Sequence, residues 1–313
     1  WEARLGRDEF RAEVHSFAAA FKADDMVELL STSDHLTFNS FNQLELFRPL
    51  WEKNYSRVSV GLRVNPEHSE GHTELYDPCA QNSRLGIRRS EFDGKSLCGV
   101  EGLHFHTLCE HLFEPLARTV KVFEEKFGEF LPQMKWLNFG GGHHITSEGY
   151  DTNGLVELIK YFQDKYDLDV YLEPGEAIAI NTGLLVCEVL DIVHNQIDTA
   201  ILDISATCHM PDVLEMPYRP EIQGGFDPGV KAHTYRLAGP SCLAGDIIGD
   251  WSFEQPLSLG DRLVFLDMAH YTMVKTSTFN GIQLPQLCVF EPDREKLTVV
   301  KSFTYEDFKN RLS

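Results

Sequence analysis

An α/β domain followed by a mostly β domain is the fold class this sequence predicts, on three observations. In the first half, short apolar strands recur with helical patterns between most of them. Near Asn181 that rhythm gives way to closely spaced strands without long helices. Two loops, Gly140-Gly141-Gly142-His143-His144 and Glu173-Pro174-Gly175-Glu176, each stand directly after a short apolar strand. The change of rhythm divides the chain into an α/β domain over 1–182 and a β domain over 183–313.

In chain order, the strands expected in the first domain are His35–Phe38, Val58–Val64, Gly102–His106, Met134–Phe139 (MKWLNF) and Leu168–Leu172 (LDVYL). Between the last two, Asn153–Tyr166 sets Leu155, Leu158, Ile159 and Phe162 on one helical face, so the unit reads as a βαβ crossover with its loops at the strands' C-terminal ends. In α/β folds that end carries the chemistry. Five such strands are too few to close an eight-stranded barrel, so a barrel here would be open or would lack its beginning. The second domain is expected to hold strands at Gly183–Leu190, Thr199–Ile204, Leu263–Leu266, Leu287–Phe290 and Leu297–Ser302. Pro211–Thr234 is too rich in proline and glycine for a long regular element and suits loops around a site.

The 313 residues are 42% hydrophobic and 24% charged, with no apolar run long enough to cross a bilayer and no signal-peptide pattern, so a cytoplasmic protein without membrane contact is expected. Seven cysteines, an odd number without a CxxC pair or zinc-type spacing, point to reduced thiols and no metal centre. Against 28 Lys and Arg stand 48 Asp and Glu, a net charge of −20. That excludes a nucleic-acid footprint and favours long-range capture of a cationic ligand, although the same balance also serves solubility.

Three consecutive glycines let main-chain N–H groups approach an oxyanion, which makes a phosphorylated ligand the natural guest of the first loop. A tight βα turn accounts for the glycines equally well when they are taken alone.

Taken together, SRLG (Ser83 to Gly86), GLHFH (Gly102 to His106), FGGGHH (Phe139 to His144), EPGE (Glu173 to Glu176), AGPSCLAGD (Ala238 to Asp246) and AHYT (Ala269 to Thr272) resemble, in order and over essentially the whole chain, the fold-type III, alanine racemase-like decarboxylases that use pyridoxal phosphate (PLP). Their polyamine branch, which acts on carboxynorspermidine and carboxyspermidine, is the nearest likeness. The resemblance implies a PLP-binding (β/α)8 barrel followed by a β domain, in a homodimer whose subunits share active sites. It implies that Gly140, Gly141 and Gly142 hold the cofactor phosphate, helped by Gly175 and Tyr271. Glu173 would keep the pyridine nitrogen protonated, since an adjacent carboxylate raises that nitrogen's pKa. His106 would lie on the ring face and Arg84 behind the cofactor. Cys242, from the partner subunit, would donate the proton that replaces the carboxyl group, a role that a mostly protonated thiol can fill at neutral pH.

Relatives acting on ornithine, arginine or diaminopimelate usually carry Arg after Glu-Pro-Gly. Glu176 stands there in this chain, which suits extra ammonium or secondary amine groups and would repel a second carboxylate. Asp212 matches a second substrate-binding acid of the polyamine branch, and Asp203 and Asp246 are further candidates for amine binding. The implied activity is decarboxylation of a small cationic carboxypolyamine to norspermidine or spermidine. The alternatives are a decarboxylase of diaminopimelate or a basic amino acid, and a non-catalytic homologue that binds a partner or a polyamine.

The resemblance also implies a Schiff-base lysine at the end of the first barrel strand, in a motif like Tyr-Ala-Leu-Lys. Neither Lys22, in the helical pattern AAAFKADD, nor Lys53, in WEKNYSR, has that context, and Trp1 opens what resembles the segment after it. The expectation is a barrel lacking its first strands, which as it stands would not catalyse efficiently.

Overall fold

The strands of the N-terminal region add to one another in chain order. The structure, a computed structural model, describes residues 1–54, 57–71 and 73–312. It divides into two units, Trp1–Ile178 and Ala179–Ser313. In the first, β1 (His15–Phe17), β2 (His35–Phe38), β3 (Ser59–Asn65), β4 (Ile87–Arg88), β5 (Gly102–His104), β6 (Trp136–Asn138) and β7 (Asp169–Tyr171) form a parallel sheet. Its order is β1-β2-β3-β5-β6-β7, with β4 pairing to the C-terminal end of β3. A doubly wound sheet reverses at a switch point; this one never does, which is the order of strands around a barrel. The expected α/β barrel architecture is therefore present as an arc.

Helices α1 (Glu2–Leu5), α2 (Ala23–Thr32), α3 (Phe41–Trp51), α4 (Phe113–Phe127) and α5 (Thr152–Tyr166) accompany the strands. The side chain of Asp151 accepts the Gly154 N–H at 2.9 Å and caps α5, so the helix starts where the loop after β6 ends. Leu44 and Phe47 of α3, Phe123 and Phe127 of α4 and Phe162 of α5 pack with Leu36, Phe38, Leu62, Leu103 and Leu137 in one core. Each side chain so buried contributes roughly 1.5–3 kcal/mol. Strand alternation sends the intervening residues, Arg63, His104, Trp136 and Asn138 among them, to the opposite, concave face. There the Trp136 indole lies across Gly61 and Gly102, where a Cβ would come within 2.3 Å and 2.0 Å of the ring, and its Nε1 donates to Ser59 Oγ at 2.8 Å. Lys22 stands outside the helix expected for it, in extended backbone at the N-cap of α2.

After α6 (Glu176–Ala179), the second unit is mostly β, as expected. Strands β8 (Leu185–Asn195), β9 (Ile197–Leu202), β10 (His233–Ala238), β11 (Ile247–Phe253) and β12 (Arg262–Phe265) take the order β11-β10-β9-β8-β12. Only β9 and β10 run parallel; the other pairs are antiparallel. Val189, Leu202, Leu237, Trp251 and Phe265 form its core. Short helices α7 (Ala206–His209), α8 (Asp212–Glu215) and α9 (Tyr271–Val274), a separate hairpin of β13 (Leu287–Glu291) and β14 (Lys296–Lys301), and α10 (Tyr305–Leu312) complete it.

Candidate active site

The loops after β6 and β7 interlock through main chain. Gly140 and Gly142 hold φ of +70° and +76°, a region that other residues enter only at a cost. A Cβ at Gly141 would lie 2.1 Å from the Glu173 carbonyl oxygen, and one at Gly142 would lie 1.9 Å from that of Leu108. The Glu173 N–H donates to Gly140 O at 2.8 Å and binds the two loops together. The cradle is narrower than three free N–H groups, because Gly140 donates to Asn138 Oδ1 at 2.8 Å and Gly141 faces His106 Nδ1 at 3.3 Å. Among the described residues, the Gly142 N–H has no protein acceptor. Gly175 has positive φ nowhere and nothing within 4 Å of an added Cβ, so its place needs no glycine for steric reasons.

Glu173 is held by residues that face the concave side of the sheet. Asn138 Nδ2 donates to its Oε1 at 3.0 Å, and His104 Nε2 lies 3.2 Å from its Oε2. His106 Nδ1 stands 3.5 Å from the same oxygen, and its tautomer decides between Glu173 and Gly141. Burial alone would raise the Glu173 pKa, but the hydrogen bonds from His104 and His106 outweigh it and keep the carboxylate ionised. Burial pushes the His104 ring the other way, toward the neutral form that donates one N–H. Arg63 on β3 donates to His106 O at 2.8 Å and stacks on Phe17 at 4.6 Å, its pKa lowered by burial to about 10.

Arg63, His104 and Asn138 were not anticipated from sequence. A readable signal does exist for them: each is a polar residue directly beside apolar residues in a strand, and each turns out buried.

Beside Glu173, a cleft of ≈ 630 Å³ is lined by Arg63, Arg84, Ser83, Phe17 and His106 among others. Asn39 fixes the Ser83–Gly86 turn there, donating to Arg84 O at 2.8 Å and accepting from Gly86 N at 2.7 Å. Glu176, first residue of α6, faces His144 Nε2 at 3.3 Å. His143 is turned inward to Tyr150 Oη at 2.7 Å. The first unit thus brings together His106, Gly140, Gly141, Gly142, Glu173, Gly175 and Glu176, with Arg84 on the wall of the cleft.

The second unit carries the other candidates. Cys242 is exposed, and its N–H donates to Asn280 Oδ1 at 2.8 Å. Asp246 is 2% exposed, and its carboxylate accepts Ser205 Oγ–H at 2.8 Å, Ser241 N–H at 3.2 Å and Thr207 N–H at 3.3 Å. Asp246, expected as a candidate for amine binding, accepts these three bonds from within the protein and so fixes the loop that bears Cys242. Asp212 is paired with Lys275, which also reaches Glu215 at 2.6 Å. Asp203 is exposed and accepts the Glu188 N–H at 2.9 Å, while Tyr271 is 53% exposed at the start of α9.

The residues present fit a phosphorylated pyridine cofactor: glycines whose close approach a Cβ would block, an N–H without a protein acceptor, and an ionised carboxylate held inside the sheet. Residues 55–269 match the family model described as "Pyridoxal-dependent decarboxylase, C-terminal sheet domain". The chain is 45% identical, over 99% of its length and 83% of the relative's, to the carboxynorspermidine/carboxyspermidine decarboxylase of Campylobacter jejuni. It is also 45% identical, over its whole length and 80% of the relative's, to the carboxyaminopropylagmatine decarboxylase of Synechocystis. Among solved structures, it superposes with a TM-score of 0.90 and 43% identity, covering 99% of this chain and 84% of the other, on the Campylobacter jejuni carboxynorspermidine decarboxylase complexed with norspermidine. Diaminopimelate decarboxylase of Helicobacter pylori shares the fold at a TM-score of 0.76 and 18% identity, covering 93% of this chain and 76% of that one.

Proposed function

The chain belongs to the pyridoxal-dependent decarboxylases, and from that premise we propose that it converts carboxynorspermidine or carboxyspermidine to norspermidine or spermidine. The observation that carries this reading is the 45% identity, spread over 99% of the chain, with a decarboxylase of those two substrates.

Pyridoxal phosphate is the cofactor of this family; when bound, it supplies an electron sink for the bond to the departing carboxyl carbon. The chain's own residues hold, orient and protonate. The cradle of Gly140, Gly141 and Gly142 and the hydroxyl of Tyr271 would take the phosphate, with Gly175 beside them. Glu173, kept ionised by His104 and His106, would hold a proton at the ring nitrogen. His106 would cover the ring face, with Arg84 behind. Glu176 and Asp212 would bind the amines of the substrate, with Asp203 at the margin. Cys242, contributed by a second copy, would carry on Sγ the proton that takes the place of the carboxyl group.

We read the enzyme as a cytoplasmic homodimer. Support comes from seven free cysteines and from Phe290, Leu297 and Val299, 59%, 64% and 51% exposed on the β13–β14 hairpin. Among the described residues, no helix is long and apolar enough to cross a membrane.

A second reading is favoured by one observation, the equal identity to a carboxyaminopropylagmatine decarboxylase, whose substrate ends in a guanidinium where the polyamines end in an ammonium. Release of CO2 by the cofactor-loaded enzyme from each substrate decides between them. A kcat/KM at least about tenfold higher for carboxynorspermidine or carboxyspermidine, about 1.4 kcal/mol of discrimination, is expected. The reverse ratio would establish the second reading, and turnover of diaminopimelate alone would defeat both.

A further inference from the structure

The glycines of Gly140–His144 are accounted for by the cofactor cradle, but its two histidines are not. They point to opposite sides. His143 is 1% exposed, and its Nδ1 is 2.7 Å from Tyr150 Oη; its main chain forms a parallel bridge with His111. That anchor fixes the direction of the next residue, whose N–H donates to His111 O at 2.8 Å and whose ring reaches across to the neighbouring loop. There His144 Nε2 lies 3.3 Å from Glu176 Oε2, with the two side chains only 14% and 20% exposed. A second clasp stands beside it, from Thr146 Oγ1–H to Ala177 O, so the loop after β6 grips α6 at two consecutive residues. A glutamate has three side-chain torsions, and an ordered partner is what selects one of its directions.

We propose that His144 is the positioning residue for Glu176: it orients that carboxylate and so sets the affinity for the amine groups of the substrate, while His143 serves as the anchor that makes this possible. The proposal rests on the amine-binding role given to Glu176 under the proposed function.

The test is a double-mutant cycle in the cofactor-loaded enzyme, made of His144→Ala, Glu176→Gln and the pair, with His144→Gln as the conservative variant. Steady-state kinetics with carboxynorspermidine gives kcat and KM separately, and calorimetry with norspermidine gives a dissociation constant independent of turnover. The expected loss for His144→Ala is about tenfold in KM and in norspermidine affinity, the size of one charge-assisted hydrogen bond, with kcat within about twofold. His144→Gln, which keeps an N–H donor, should recover most of that loss. In the Glu176→Gln background, His144→Ala should change neither value by more than about twofold. Unchanged affinity in His144→Ala, or a loss that persists undiminished in the Glu176→Gln background, would overturn the proposal. If Glu176→Gln alone leaves KM and norspermidine affinity untouched, the amine-binding role of Glu176 falls, and the proposal with it. Should His144→Ala not fold, His144→Asn, too short to reach Glu176, is read in its place against the same expectations.

Discussion

The loop between β6 and α5 and the loop between β10 and β11 both carry candidate site residues, and they are held in place by different means. The first is fixed by main chain: two glycines at positive φ and a third pressed against the Glu173 carbonyl leave no room for any Cβ. The second is fixed by one side chain, the carboxylate of Asp246, which collects donors from Ser205, Thr207 and Ser241 while Cys242 remains exposed. A site built from backbone tolerates almost no substitution at the residues themselves. A loop hung from a buried carboxylate moves its vulnerability to the residue that carries that carboxylate.

The sharpest test of that contrast is Gly142→Ala, which combines a left-handed φ with a Cβ 1.9 Å from a main-chain oxygen. A loss of at least about 3 kcal/mol in unfolding free energy is expected, together with loss of PLP binding. Gly175→Ala, with nothing within 4 Å, should cost less than about 0.5 kcal/mol by the same denaturant titration. Equal effects would break the main-chain account.

A comparable effect should appear with pH. Burial first, and then the charges of His106 and His144, hold the His143 pKa down at about 4, against 6.5 for an unperturbed ring. Between those values the unfolded chain binds a proton that the folded chain refuses. Stability should therefore fall as pH drops from 6.5 toward 4, by up to about 3 kcal/mol. Urea unfolding across that range checks it, and His143→Gln should flatten the slope.

Smaller losses than that of Gly142→Ala are expected for the carboxylate-held loop of the second unit. Asp246→Asn turns an amide N–H₂ toward donors that need an acceptor, at about 2 kcal/mol, and Ser205→Ala removes a single donor at about 1 kcal/mol. Both should speed alkylation of Cys242 as its loop loosens. An Asp246→Asn cost above that of Gly142→Ala would invert the comparison.

The same difference explains what could be read in advance. The strands at His35–Phe38 and along β3, and the helix α5, were legible because their apolar residues face a helical layer and keep its period. The glycine cradle was legible because its constraint sits in consecutive residues. Strand β1 was not, since only three residues long it buries Ser16 toward the helices and shows His15 and Phe17 to the concave side. Strand β10 follows a segment dense in proline and glycine, and β11 alternates around Gly249 and Asp250, so neither carried a clean signature. The hold of Asp246 on its own loop was not legible, because its partner Ser205 lies 41 residues away, a separation no local pattern bridges. Arg63, His104 and Asn138 support Glu173 from strands where a polar residue reads only as an interruption.

One feature of the sheet bears on how such a sequence can change over time. The Trp136 indole occupies the space above Gly61 and Gly102, and Ser59 holds its edge. Those positions are sterically coupled. A side chain can enter at 61 or 102 only in a lineage where 136 has already given up its indole, so the order of replacements is constrained even though each, taken singly, looks conservative.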